Sequence, residues 1–93
     1  MIEVVIGKSS LEIKGHAKDK IVCAAVSTAT EMVGSYLEKK HKAIMKQDDG
    51  YFLIYDMITN ERNETCIMLC EFLKMLKEDY PDEILIKHTY ENA

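Results

Sequence analysis

The chain has 93 residues, of which 47% are hydrophobic and 30% charged, and its formal net charge is −4. This length predicts one domain over residues 1–93 with a modest core, and the composition excludes a disordered or collagen-like chain. The negative charge argues against dedicated nucleic-acid binding and mildly favours a basic partner. No apolar run is long enough to cross a membrane, so no membrane partner is expected.

Two strands and a helix are predicted in the first half of the chain. Residues 2–6 and 11–14 form a hairpin around turn residues 7–10, and the apolar run at 4–6 predicts a central first strand that is buried on both faces. Helical spacing then begins at Val22 and ends near Leu37, with Ala25, Val26, Ala29, Met32, Val33 and Tyr36 between them.

The second half predicts a further hairpin, a second helix and a last strand. Strands at 43–47 and 51–56 flank Asp48-Asp49-Gly50, and Asp-Gly between apolar runs is a strong hairpin signal. Thr59 or Asn60 is a candidate N-cap, with Glu61 and Glu64 in the first turn. The core-facing residues of this helix are Cys66, Leu69, Cys70, Leu73 and Leu76.

The residues Tyr80-Pro81-Asp82 end the second helix, because the residue before a proline avoids the helical region. Residues 84–88 follow as the last strand, and 91–93 are expected to fray. The order ββαββαβ predicts an α+β two-layer sandwich, in which a mostly antiparallel sheet carries both helices. The apolar side of the second helix is wider than one sheet face needs, which predicts a homodimer through Ile67, Met68, Phe72 and Met75.

Cys23 is the candidate nucleophile because it falls in the first turn of the first helix. Unpaired amides and the helix dipole favour an anion there, and the thiolate is the reactive form of cysteine. His16, Lys18 and Lys20 are within reach. The odd number of cysteines, without a signal peptide, indicates a reducing cytosol and hence a cytoplasmic protein.

Other chemical candidates have simpler interpretations. Cys66 and Cys70 are four residues apart, but no histidine pair completes a zinc site, so we expect core packing, with no metal and no cofactor. His41 and His88 are expected at the surface. The lysines at 39, 40 and 42 are more typical of a solvated helix end than of an RNA contact.

The segments Gly15-His16-Ala17 and Ile21-Val22-Cys23-Ala24-Ala25-Val26-Ser27 resemble the signature of the ribosomal-processing cysteine protease family, also called Prp or YsxB-like. That signature is Gly-His-Ala, a variable loop, then Asp-Ile-Val-Cys-Ala-Ala-Val-Ser. The resemblance implies a cytoplasmic, homodimeric cysteine endopeptidase that removes the N-terminal extension of the large-subunit ribosomal protein bL27. It also implies that His16 is the base and Cys23 the nucleophile.

The connection between histidine and cysteine is shorter here than in that family, with six intervening residues instead of about a dozen. Lys20 replaces the family's Asp, and Asp19 lies one position earlier. Six residues can still fold back so that the imidazole comes within about 3 Å of the thiol. The shorter loop predicts a more open or differently shaped site.

Three further residues are candidates for substrate or oxyanion binding. The amide of Ala24, with that of Cys23, is a candidate oxyanion donor. Ser27 lies one turn after Cys23 and can hold the thiolate or a substrate carbonyl, or can be a small residue that allows close packing. Asp19, the one acid between His16 and Cys23, is a candidate for orienting the histidine.

Two alternatives to proteolysis remain open from the sequence. A non-catalytic ribosome-associated interaction or assembly module could keep the fold with a buried Cys23 far from His16, whereas a close approach of the two side chains with a groove beside them favours an enzyme. A redox-sensing thiol would need Cys66 or Cys70 close by as a resolving partner.

Overall fold

A computed structural model of the chain describes residues 1–55 and 60–89 and arranges them as ββαββαβ, as predicted. The strands are β1 (Ile2–Ile6), β2 (Ser10–Gly15), β3 (Ile44–Asp48), β4 (Tyr51–Tyr55) and β5 (Ile84–His88), and the helices are α1 (Lys20–His41) and α2 (Asn60–Asp79). The predictions made for Asp56, Thr59, the side chain of Glu61 and residues 91–93 lie outside the described residues.

The strands form one mixed sheet in the order β3-β4-β2-β1-β5. The pairs β1–β2, β2–β4 and β3–β4 are antiparallel and β1–β5 is parallel, which confirms the mostly antiparallel sheet. The register aligns Val4 with Ile13 and Ile13 with Phe52, so their side chains form one apolar row. This row faces the helices.

Strand β1 lies inside the sheet, but the prediction that both of its faces are buried is wrong. Ile2 and Val4 are buried, whereas Val5 is only half-buried. The physical reason is that both helices pack on the same face of the sheet, so that one core contains the alternate residues of every inner strand. The other sheet face has no helical layer over it among the described residues.

Helix α1 begins at Lys20, two residues before the first apolar position, and its buried face differs from the predicted one. Val22, Val26, Val33 and Leu37 are buried as expected; Met32 and Tyr36 are 63% and 39% exposed. Thr30 and Gly34 are buried in their place. The Thr30 hydroxyl donates to the Val26 carbonyl at 2.9 Å, which satisfies a polar group within the core.

Helix α2 matches its prediction more closely. Cys66, Leu69 and Leu73 are buried, Cys70 and Leu76 pack against them, and the helix ends at Asp79, before Pro81. Neither described helix is long and apolar enough to cross a membrane. His88 is exposed, as expected, but His41 is half-buried and packs edge-on against Tyr36, with ring centroids 5.8 Å apart.

Gly34 lets α1 approach the sheet closely. A Cβ at this position would lie 2.6 Å from Met45 Sδ on β3 and 2.9 Å from Phe52 Cε2 on β4. Contacts this short force a neighbour to move, and the Phe52 ring is 4% exposed, within the core. The missing side chain therefore sets the distance between α1 and the β3–β4 hairpin.

We predict that Gly34→Ala destabilises the protein by about 1–3 kcal/mol, the usual cost of overpacking a core. Alanine elsewhere in a helix is about 1 kcal/mol more favourable than glycine. Only the close packing at this position therefore makes the substitution destabilising. Chemical denaturation measures this change. Glu38→Ala, an exposed position one turn later, is the control and should stay within about 0.5 kcal/mol of the parent. A Gly34→Ala protein as stable as the parent would contradict the close approach.

Candidate active site

A groove of about 210 Å³ opens at one end of the sheet, between α1 and the β3–β4 turn. Both predicted catalytic residues, His16 and Cys23, line it. The remaining lining residues come from four strands, the β3–β4 turn and one helix, and are Ile2, Ile13, Gly15, Val26, Ser27, Thr30, Gln47, Asp48, Asp49, Gly50, Tyr51 and Phe52. The two residues that the sequence separates by six positions therefore share one cavity.

The Cys23 thiol is half-buried and is held by the backbone of Ala17. The Ala17 N–H donates to Sγ at 3.2 Å, and Sγ lies 3.5 Å from the Ala17 carbonyl oxygen, to which the thiol can donate. The amide of Cys23 itself donates to the Asp19 carbonyl at 3.3 Å. This intrahelical bond occupies the amide and corrects the expectation that it faces a substrate oxygen.

The His16 imidazole lies against the β3–β4 turn. A Cβ on Gly50 would be only 2.5 Å from His16 Nε2. The backbone on either side is also tied, because Gly15 N–H donates to the Gly50 carbonyl at 2.9 Å and the Met1 amino group donates to the His16 carbonyl at 2.7 Å. No hydrogen bond joins the imidazole to the thiol in the part of the chain that the structure describes. Catalytic hydrogen bonds often form only when substrate binds.

Backbone contacts hold the short segment that joins His16 to Cys23. After Ala17, the Lys18 N–H donates to Glu83 Oε2 at 2.8 Å. The Asp19 side chain then accepts from the Ile21 N–H at 2.9 Å with an extended backbone, which is the geometry of an N-cap. Asp19 therefore starts the helix that carries the thiol. None of its described contacts is with His16.

The two remaining predicted residues lie on different sides of α1. Ser27 is exposed and lines the groove one turn after Cys23, as the helical spacing predicted. Ala24 is absent from this groove and instead lines a larger apolar one between α1 and α2. As the fifth residue of α1, its amide also has a helical acceptor. Ser27 is thus the better placed of the two for contact with a peptide in the groove.

Sequence reasoning missed two residues of the site, Ala17 and Gly50. Ala17 is part of the Gly-His-Ala segment, but nothing in its side chain signals a backbone contact to sulfur. Gly50 is part of the predicted Asp-Gly turn, and the turn was found correctly. Its position beside His16 follows from the pairing of β2 with β4, which local sequence patterns do not reveal.

The other two cysteines lie outside the groove. Burial raises the pKa of the Cys66 thiol from its ordinary value of 9.0 to about 12, with a smaller contribution from Cys70. Burial also raises the pKa of Cys70. A thiol with a raised pKa is a poor nucleophile near neutral pH. Among the described residues no group of three or more His, Cys, Asp or Glu side chains could hold a metal ion.

Comparison with known proteins identifies the family. A family model described as cysteine protease Prp matches residues 1–85. The chain belongs to the cysteine protease Prp family. It is thus a cysteine protease, and the shared groove agrees with the enzyme rather than with the non-catalytic alternative. No curated protein sequence matches the chain.

Solved structures share the Prp fold over nearly the whole chain. The ribosomal processing protease Prp from Staphylococcus aureus, in complex with a covalently linked product peptide, has a TM-score of 0.84 at 24% identity and covers 96% of this chain and 100% of its own. The same protease with a substrate peptide has a TM-score of 0.84 at 21% identity, with the same coverage. SMU.848 from Streptococcus mutans has a TM-score of 0.73 at 25% identity, covering 97% and 93%.

The N-cap role of Asp19 can be separated from a catalytic one. Asp19→Ala should lower the free energy of unfolding by about 1 kcal/mol, whereas Asp19→Ser, which retains a capping oxygen, should lose much less. Thermal unfolding and peptidase activity per folded molecule are measured together. If Asp19 only caps α1, the serine variant has parental activity. A serine variant that is stable but inactive would show that the carboxylate itself takes part in the reaction.

Proposed function

We propose that this Prp-family protease removes the N-terminal extension of large-subunit ribosomal protein bL27, with His16 as general base and Cys23 as nucleophile. The observation that carries the proposal is the single groove lined by both side chains. The Staphylococcus aureus relative is described as a ribosomal processing protease and forms complexes with a substrate peptide and a covalently linked product. The net charge of −4 also suits a basic ribosomal protein.

The reaction begins with a proton transfer from the Cys23 thiol to the His16 imidazole. The thiolate attacks the scissile carbonyl, and the protonated imidazole then returns the proton to the leaving amine. Water hydrolyses the resulting thioester, with His16 again taking a proton. For the first step the thiol exchanges its contact with the Ala17 carbonyl for one with the imidazole. Both residues border the cavity in which the peptide would bind.

Donors for the oxyanion must come from groups that face the groove. Ser27 meets this condition, because it is exposed and lines the cavity beside Cys23. A hydroxyl there can donate to the developing charge on a substrate carbonyl oxygen. The Ala17 N–H points at Sγ and helps to fix the sulfur rather than the substrate.

The assembly and location of the enzyme belong to the same proposal. We infer a homodimer, formed through the outer surface of the helices, in the cytoplasm. Ile67, Met68 and Met75 of α2 and Met32 of α1 are each 59–64% exposed, and an apolar groove of about 680 Å³ runs between the helices. Exposed apolar patches of this kind are typical of protein interfaces. None of the three cysteines forms a disulfide, which suits a reducing compartment.

The proposed function predicts cleavage of a peptide that spans the extension junction of the organism's own bL27. Cys23→Ala should abolish cleavage, and His16→Ala should lower kcat/KM by about 10²–10⁴, the usual contribution of a general base. Mass spectrometry locates the cut bond and gives the rate. Cys70→Ala removes a thiol outside the groove and should cleave like the parent.

Two results would contradict different parts of this proposal. Cleavage that persists in a folded Cys23→Ala protein would remove Cys23 as the nucleophile. Cleavage of other peptides but not of the bL27 junction, nor of full-length bL27, would retain the protease and exclude the substrate.

The homodimer predicts a change of mass when the helical surface is made charged. Met32→Glu combined with Met68→Glu should convert a dimer into a folded monomer, because burying two carboxylates in an apolar interface is unfavourable. Sedimentation velocity measures the mass and circular dichroism checks folding. Lys8→Glu, on the β1–β2 turn, is the control and should remain dimeric. A parent protein that sediments as a monomer at micromolar concentration would overturn the dimer.

A further inference from the structure

We propose that Gly50 is a positioning residue for His16: the β3–β4 turn has no side chain at this point, and the bare turn is the surface on which the catalytic imidazole lies. The inference rests on the proposed function, in which His16 is the general base. It assigns a catalytic task to a turn that lies 34 residues after the histidine in the chain.

The imidazole and the glycine are in close contact. A Cβ on Gly50 would lie 2.5 Å from Nε2, 3.1 Å from Cε1 and 3.2 Å from Cδ2 of His16. Three ring atoms on one side of the imidazole thus pack towards the position that an L side chain would occupy. Because real Cβ contacts are almost never under 3.0 Å, any L side chain at 50 must displace the ring or the turn. His16 is otherwise exposed to solvent, so its ring, rather than the backbone of the turn, is the group that an L side chain at 50 would displace.

A backbone hydrogen bond connects the same two segments. Gly15 N–H donates to the Gly50 carbonyl at 2.9 Å, and it extends the β2–β4 pairing in which Lys14 is opposite Tyr51. The residue before the histidine is therefore fixed to the residue beneath its ring. Backbone and side chain are both positioned relative to one turn, on the edge of the groove that contains Cys23.

Gly50 also has a second property that a test must separate from the first. Its φ is +68°, a conformation that most L residues adopt only with strain. Asparagine tolerates this region better than most L residues but brings a Cβ. A D-alanine has no strain at positive φ, and its methyl group replaces the other α-hydrogen, on the side away from the imidazole. Comparison of Gly50→Asn with Gly50→D-Ala thus separates the effect of a Cβ next to the imidazole from the effect of backbone strain at positive φ.

Chemical synthesis of the D-residue variant is practical because the chain contains its own ligation sites. Cys23 and Cys66 divide it into segments 1–22, 23–65 and 66–93, which native ligation at cysteine can join. The parent sequence made by the same route is the matched control. All variants are first compared by thermal unfolding, and the later rates are expressed per folded molecule.

Two measurements then report on the function of His16 as a base rather than on folding. The first is kcat and KM for the bL27 junction peptide. The second needs no substrate, and is the pH profile of Cys23 alkylation by iodoacetamide between pH 5 and 9, located by mass spectrometry. The titratable groups that share the groove with His16 are Cys23 from α1, Asp48 at the end of β3 and Asp49 from the β3–β4 turn, and the Met1 amino group lies at the His16 carbonyl. They are the same in every variant.

We expect Gly50→Asn to fold but to lower kcat at least tenfold, with KM within threefold of the parent, and to shift the alkylation profile towards that of His16→Ala. Gly50→D-Ala should stay within threefold of the parent in every readout. In the double variant, Gly50→Asn should add no further loss to His16→Ala, since residues that act through one another are not additive.

Three outcomes would overturn the role of Gly50: equal losses in the asparagine and D-alanine variants, a parental kcat in folded Gly50→Asn, or losses that multiply in the double variant. A different outcome concerns the proposed function itself. If His16→Ala alone leaves both peptide cleavage and the alkylation profile at parental values, His16 is not the base, and the role of Gly50 is overturned with it.

Discussion

The hydrogen bond between the Gly15 N–H and the Gly50 carbonyl is the contact on which the site depends. It lies where β2 ends and where the β3–β4 turn leads into β4, so it joins two hairpins that are distant in the chain. His16 follows Gly15 directly and is carried to the edge of the groove. The thiol arrives from the opposite side on α1, whose distance from the same hairpin is set by Gly34. Two glycines thus lie at the closest approaches on the two sides of the groove in which we propose that the substrate reacts.

The six residues between His16 and Cys23 form an ordered connection because several of their polar groups make hydrogen bonds. Ala17 holds the sulfur, Lys18 is tied to Glu83 near β5, and Asp19 caps the helix. A longer loop could contact the same groups but would need more ordering, since closure entropy rises slowly with length. The short connection covers less of the groove but has less conformational entropy to lose on ordering. His16 is exposed beside the groove.

Local patterns predicted most of the fold and three residues that line the groove, His16, Cys23 and Ser27. Strand alternation, the Asp-Gly turn and the proline after Tyr80 gave elements close to those observed. Cys23 in the first helical turn also follows from spacing. The burial of Thr30 and Gly34 could not be predicted, because it depends on how closely α1 packs on Phe52. Nor could the contacts of Ala17 and Gly50, which are backbone contacts set by the fold rather than by side-chain type.

Burial distinguishes Cys66 from the thiol that we propose as the nucleophile. Cys66 is 8% exposed, and its raised pKa keeps the thiol neutral at physiological pH. Cys23 is half-buried at a helix start, where the dipole favours an anion. In the proposed reaction the groove beside Cys23 is open to solvent before the substrate binds. Exclusion of water therefore falls to the bound peptide itself, so binding and protection of the reacting bond are a single event.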